Sequence, residues 1–118
     1  MNNWIKIAAF SATALFSGAF AAPNPNFHIY IAYGQSNMAG AGDIETADQV
    51  PNDRFLMLSG VDCSARKGST DIKLSKGVWA KAVPPMFHCY EGLSVADYFG
   101  RAMADSMPGI TIGIIPVA

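Results

Sequence analysis

Beyond the first 21 residues, apolar residues are concentrated in three short runs, at residues 27–33, 54–58 and 110–115. The first run has an almost continuous apolar character, which is typical of a parallel strand covered on both faces. We therefore expect Phe27–Tyr33 to be a central strand of a sheet. The other two runs are bounded by turns that contain glycine, so they also predict strands.

A helix is predicted between the second and third runs. Ser94 followed by Asp97 resembles a capping box whose acid is one carbon short, and Pro108-Gly109 would end the helix. Apolar residues between these signals recur at three- and four-residue spacing, which predicts one core-facing stripe. Its members are Val95, Tyr98, Phe99, Ala102, Met103 and Met107. The order strand, strand, helix, strand favours an α/β fold with a parallel sheet.

Residues 61–90 have no clear periodicity, which indicates either a functional loop or an element that the pattern does not reveal. Trp79 and Tyr90 in this segment could stack on a sugar, although aromatic residues in loops more often pack the loop down. Cys63 and Cys89 lack the spacing of a zinc site. They form either a disulfide, closing a loop of about 26 residues and adding about 3 kcal/mol, or two buried thiols.

Residues 1–21 have the features of a signal peptide. Lys6 precedes an uncharged apolar run at 7–16, and Ala19-Phe20-Ala21 has the small-x-small form of a cleavage site. The run is short for a bilayer, so an anchoring helix is the weaker alternative. We expect a secreted or periplasmic protein whose domain occupies residues 22–118, with no stable membrane span after cleavage.

Composition limits the partners of this domain. With 118 residues, 14% charged residues and a net charge of -1, the chain is of the globular class and argues against a nucleic-acid groove. Gly40-Ala41-Gly42 does not complete a dinucleotide fingerprint, because Glu45 stands where its third glycine belongs. We expect a small, neutral or weakly charged substrate and neither a cofactor nor a metal.

The candidate chemistry lies just after the first run, where Ser36 follows Gly34. A serine hydroxyl held at a turn beyond a strand, near backbone N–H groups, is a candidate nucleophile. Gly34 would give the turn its backbone freedom. The α/β-hydrolase elbow is not matched, because Met38 replaces its second glycine. The alternative is that Ser36 only caps a helix.

The stretch Gly34-Gln35-Ser36-Asn37-Met38 resembles the nucleophile block of SGNH hydrolases of the sialate O-acetylesterase type. Further stretches are similar to the acetyl xylan esterases of carbohydrate esterase family six, namely residues 53–55, 81–85, 93–101 and 112–118. The resemblance covers residue 27 to the end. It implies the N-terminal part of a three-layer SGNH sheet with parallel strands and flanking helices.

The resemblance also implies a secreted serine esterase that removes O-acetyl groups from sugars or xylan through an acyl-enzyme, without a metal. Ser36 would attack the acetyl carbonyl, and its own N–H would donate to the oxyanion. Gln35 and Asn37 would shape the turn and are candidate substrate-binding residues. The later family blocks, a glycine turn, an Asn or Gln and an Asp-x-x-His, are not in this sequence. We expect a fragment truncated after its third strand, which would then be an uncovered, aggregation-prone edge.

No local residue is a convincing base for Ser36. His28 should lie at the opposite end of the first strand, roughly 20 Å or more away, and is expected to be structural. His88 lies in the irregular loop and is a poor candidate, and Asp43, Asp48 and Asp62 are expected to be solvated loop acids. A non-catalytic sugar-binding or interaction module therefore stands as the alternative function.

Overall fold

The structure is a computed structural model that describes residues 21–68 and 71–118, so residues 1–20 of the predicted signal peptide lie outside the described residues. No helix in the described ranges is long and apolar enough to cross a membrane. The elements are, in order, β1 (Phe27–Tyr33), α1 (Ser36–Ala39), a 3₁₀ turn (Thr46–Gln49), β2 (Phe55–Leu58), β3 (Trp79–Lys81), α2 (Val95–Ser106) and β4 (Thr111–Val117).

The four strands form one mixed sheet in the order β1-β4-β2-β3. β4 is parallel to both of its neighbours, with Phe27 opposite Thr111 and Phe55 opposite Ile112. β3 is antiparallel to β2. The predicted α/β class is confirmed, since parallel strands joined through a helix dominate the sheet.

Two predictions about the strands are wrong. β1 is an edge strand of the described sheet and not a central one, and Ile29, Ile31 and Tyr33 on one of its faces are exposed. The run at 110–115, expected to be an uncovered edge, forms β4 between β1 and β2. β3 was not predicted, because a three-residue strand carries no periodicity and forms only by pairing with β2.

α2 covers one face of the sheet, and the side chains between them are the fully buried core. The helix was predicted in the right place, but only part of the predicted stripe meets the core, where Met103 and Met107 pack partly buried. Ala96, Gly100 and Ala104 face the sheet, whereas Val95, Tyr98 and Phe99 of the expected stripe are exposed. Small residues four positions apart let the helix lie close to the strands, and the larger residues then flank the contact. The core side chains under α2 include Phe55, Met57, Ile112 and Ile114.

The irregular segment between β2 and α2 is held by a disulfide and a buried arginine. Cys63 and Cys89 are bonded, with 5.7 Å between their Cα atoms, which decides between the two alternatives left by the sequence. Arg66 donates to the carbonyl oxygens of Ile72, Val83 and Pro85. Burial lowers the pKa of Arg66 to about 10, so the guanidinium stays protonated at neutral pH.

The two aromatic residues of this segment differ in their surroundings. Trp79 packs edge-on against Phe27, with 5.0 Å between ring centroids, so it is a packing residue and not a sugar platform. Tyr90 is 72% exposed and remains available to a ligand.

Candidate active site

Ser36 lies immediately beyond the carboxyl end of β1. The Gly34 N–H donates to the Val117 carbonyl at 3.0 Å, so pairing with β4 continues one residue past the strand. Gln35 then turns the chain in extended geometry, and Ser36 is the first residue of α1. Its side chain is exposed. A serine between a strand end and a helix start, open to solvent, is the arrangement that the sequence predicted.

The alternative that Ser36 caps a helix is wrong. Gln35 is the N-cap of α1, and no side chain makes a capping bond there. The Met38 and Ala39 N–H groups donate to the Gln35 carbonyl at 2.7 and 3.0 Å. In the described parts of the chain, neither the Ser36 hydroxyl nor the Ser36 and Asn37 N–H groups have a hydrogen-bond partner. These N–H groups are the free donors of a first helical turn.

Two glycines flank α1, and backbone freedom, the role predicted for Gly34, belongs instead to Gly40. Gly34 does not adopt a left-handed φ, but a Cβ there would lie 2.6 Å from Cβ of Met38. It is therefore required for close packing, not for backbone freedom. Gly40, which ends α1, has a φ of 104°, and a Cβ there would lie 2.7 Å from the Leu93 carbonyl oxygen. A side chain at position 40 would be both strained and in collision.

A backbone ladder joins the end of α1 to the start of α2. The Gly92 N–H donates to the Gly40 carbonyl at 3.0 Å. Leu93 and Gly42 exchange two hydrogen bonds at 2.8 and 3.2 Å. These bonds bring residues 92–94 beside the turn that carries Ser36, although more than 50 residues separate them in sequence.

α2 begins at Ser94 as predicted, but Asp97 does not complete a capping box. The Ser94 hydroxyl accepts from the Ala96 N–H at 3.1 Å. Asp97 is buried and accepts from Nε of Arg101 at 3.0 Å. Burial raises the pKa of the Asp97 carboxyl, opposed by the Arg101 hydrogen bond.

Asp48 is not the solvated loop acid that was expected. It is only 4% exposed and accepts from the Tyr98 hydroxyl at 2.7 Å and from the Glu45 N–H at 2.8 Å. These two bonds, the Tyr98 bond first, lower the pKa of Asp48. Arg101 donates to the carbonyls of Asp48 and Val50 at 2.6 and 2.8 Å, which fixes the 3₁₀ turn on α2.

An open apolar groove of about 400 Å³ lies between β1, α1 and α2. Met38, two residues after Ser36, forms one wall of it, and Phe99 of α2 forms another. Tyr30 packs edge-on against Phe99 with 5.3 Å between ring centroids. The groove thus adjoins the segment that carries the candidate nucleophile, and it offers apolar contact rather than charge.

Among the described residues, no acid or histidine is hydrogen-bonded to Ser36 as a base. His28 is the second residue of β1, opposite Ile112, and Tyr33 lies five residues further along the strand, roughly 16 Å away. His88 is exposed in the segment before α2. Across residues 21–68 and 71–118, no His, Asp or Glu side chain is hydrogen-bonded to Ser36, and no cluster of three potential metal ligands occurs. Gln35 and Asn37 are exposed on either side of Ser36.

The family comparison agrees with this geometry. The SASA family model, described as carbohydrate esterase, sialic acid-specific acetylesterase, matches residues 26–118. The chain belongs to the SASA family. No solved structure matches it. The resemblance to sialate O-acetylesterases is thereby confirmed at the level of the family, whereas the likeness to family six acetyl xylan esterases stays a prediction.

Membership of the SASA family places the chain among carbohydrate esterases, and the match begins one residue before β1. The serine turn of this SASA chain was predictable from the sequence, but the hydrogen bond from the Ser94 hydroxyl to the Met38 carbonyl of α1 was not. The capping signal at Ser94 predicts the start of a helix, but it carries no information about what the hydroxyl donates to.

Proposed function

We propose that this chain provides the nucleophile of a secreted or periplasmic carbohydrate acetylesterase, with Ser36 attacking the acetyl carbonyl. One observation carries the proposal. In a chain of an acetylesterase family, the Ser36 hydroxyl is exposed and unbonded within the described residues, just beyond the carboxyl end of a parallel strand. Ligands of open α/β sheets bind at this end of the strands.

The reaction proceeds in two acyl transfers. The Ser36 oxygen bonds to the acetyl carbon as its proton passes to a base, and the carbonyl oxygen becomes an oxyanion that accepts from the Ser36 N–H. The bond to the sugar oxygen then breaks, and that oxygen takes up a proton. Water hydrolyses the acetyl-serine and releases acetate. We propose that Gln35 and Asn37 contact the sugar, and their exposure beside Ser36 supports this role.

The residues that the structure describes do not hold a proton acceptor against Ser36. Because no described His or Asp reaches Ser36, we propose that the catalytic Asp and His come from a polypeptide segment outside this sequence, so that the chain is a fragment of the enzyme. Export is supported by the apolar run at residues 7–16 and by the Cys63–Cys89 disulfide, since disulfides persist in oxidising compartments.

The lack of a base beside Ser36 among the described residues favours a second candidate function. A chain that keeps the serine turn without a base would bind an acetylated sugar or a protein partner and leave the ester intact. Tyr90, 72% exposed, is an aromatic surface on which a sugar could stack.

Acetate release from acetylated xylan and from p-nitrophenyl acetate distinguishes the two functions. We expect the chain to release acetate only slowly, because the proposed base lies outside this sequence, and we expect Ser36→Ala to abolish that release by removing the nucleophile. Ser106→Ala is the matched control, since Ser106 is an exposed serine at the far end of α2. Equal rates for the wild type and Ser36→Ala would reject catalysis by this chain. Binding of acetylated xylan by such an inactive protein, measured by calorimetry, would then support the second function.

A further inference from the structure

Ser94 connects the segment that carries the candidate nucleophile to the long helix. Ser94 is 3% exposed, and its hydroxyl accepts one hydrogen bond and donates another. It accepts from the Ala96 N–H at the start of α2 and donates to the Met38 carbonyl of α1 at 2.5 Å. The sequence separation across the second bond is 56 residues.

α1 depends on such outside contacts. It has four residues, and a helix of one turn is not stable by itself, because nucleation is unfavourable and its last carbonyls have no intrahelical partner. The Met38 carbonyl finds its partner in Ser94, the sole donor to it within the described residues. α2, in contrast, spans 12 residues and lies against the sheet.

We infer that Ser94 is a positioning residue for Ser36. Its hydroxyl holds the last turn of α1 at a fixed place relative to α2, and this fixes the Ser36 hydroxyl and N–H groups at the beginning of the same turn. The consequence for turnover rests on the proposed function, whereas the consequence for the order of α1 does not. A small displacement of a nucleophile reduces the rate of attack strongly.

Amide hydrogen exchange tests the positioning directly. In Ser94→Ala, we expect exchange at Met38, Ala39 and Gly40 to become about ten-fold faster, because α1 loses one net hydrogen bond. Ser94→Thr keeps a hydroxyl and should restore slow exchange. Should Ser94→Ala fold poorly, Ser94→Gly removes the same donor while glycine remains a tolerated N-cap.

Ser59→Ala is the matched control. Ser59 is equally buried and also makes two bonds, donating to the Val61 carbonyl at 2.6 Å and accepting from the Val61 N–H at 3.3 Å, but it follows β2. We expect it to lower stability without affecting exchange in α1. Unchanged exchange at the three α1 amides in Ser94→Ala, or equal acceleration in Ser59→Ala, would overturn the inference.

A kinetic measurement adds the link to turnover. On p-nitrophenyl acetate, Ser94→Ala should lower kcat by about ten-fold or more with little change in KM, and Ser94→Thr should recover kcat. A normal kcat in Ser94→Ala beside faster α1 exchange would overturn the link to Ser36. If the wild-type protein releases no acetate, the proposed function of this chain fails, and hydrogen exchange alone decides whether Ser94 positions α1.

Discussion

The ring of Phe55 lies directly against Gly100. A Cβ at position 100 would fall 2.7 Å from Cδ2 of Phe55 and closer still to Cε2 and Cζ. Phe55 is fully buried in β2, opposite Ile112, so its ring has little room to move away. This contact sets the distance between α2 and the sheet, and with it the position of the helix start that holds α1.

We expect Gly100→Ala to lower the free energy of unfolding by about 2 kcal/mol. Overpacking typically costs about 1–3 kcal/mol, and it outweighs the gain of up to about 1 kcal/mol from the better helix propensity of alanine. Urea denaturation measures the change. Gly60→Ala is the control, because nothing lies within 4 Å of a Cβ there. If the two variants are equally stable, the Phe55 contact does not limit the approach of α2.

This contact also explains why the sequence pattern predicted the position of α2 but only part of its buried face, the part at Met103 and Met107. Ser94 and Pro108-Gly109 mark the helix ends through local chemistry that a sequence displays. The buried face is determined by Ala96, Gly100 and Ala104, which are small enough for a close approach to the sheet. A hydrophobic pattern ranks larger residues above them, so it selected the flanking aromatic residues.

Local sequence patterns also predict only part of the sheet. The runs that became β1, β2 and β4 were found because each is apolar over several residues, but their lateral order depends on pairing that no single run encodes. The placement of Ser36 just beyond a strand end was predictable, because it follows from the local succession of strand, turn and helix. The contacts from Ser94 to Met38 and from Arg101 to Asp48 each join residues more than 50 positions apart, and local patterns do not reveal them.

The Cys63–Cys89 disulfide should stabilise the segment between β2 and α2. It closes a loop with a sequence separation of 26, and the chain-entropy model gives about 3 kcal/mol for its removal. We expect dithiothreitol to lower the Tm of the wild type and to leave the Tm of Cys63→Ala/Cys89→Ala unchanged. A wild-type Tm insensitive to the reductant, with both thiols shown to be reduced, would contradict this role.

The Tyr98–Asp48 bond should make stability depend on acid pH. The lowered pKa of Asp48 means that its stabilising contribution is present above the usual value of 3.8 and is lost as pH falls through the lower pKa of the folded state. Tyr98→Phe removes the largest cause of that lowering. We therefore expect this variant to be less stable than the wild type above about pH 4, with the difference shrinking at lower pH.

Denaturation of the wild type and Tyr98→Phe between about pH 2.5 and pH 6 tests this dependence. Tyr90→Phe is the control, since Tyr90 is exposed and makes no hydrogen bond within the described residues. The raised pKa of Asp97 changes stability with pH in the opposite direction, but Asp97 is present in all three proteins, so its effect does not alter the comparison. A stability difference that stays constant across this range would show that the Tyr98 bond does not lower the pKa of Asp48.

The open edge of β1 should promote self-association. Because Asn26 and Gly34 bond to β4, the alternation along a strand directs the backbone groups of Ile29, Ile31 and Tyr33 to the unpaired edge. The edge carries no charge or proline at these positions, the features that usually protect edge strands. Ile31 is 67% exposed, so Ile31→Lys should leave the fold intact and raise the concentration at which light scattering appears.

Val50→Lys separates the edge from a general charge effect. Val50 is also exposed but lies outside the sheet, and both variants move the net charge of -1 to 0. A lower net charge favours association, so a gain in solubility for Ile31→Lys alone has to come from β1, through its unpaired edge or its exposed apolar side chains. Equal scattering curves for the two variants would show that association proceeds through another surface.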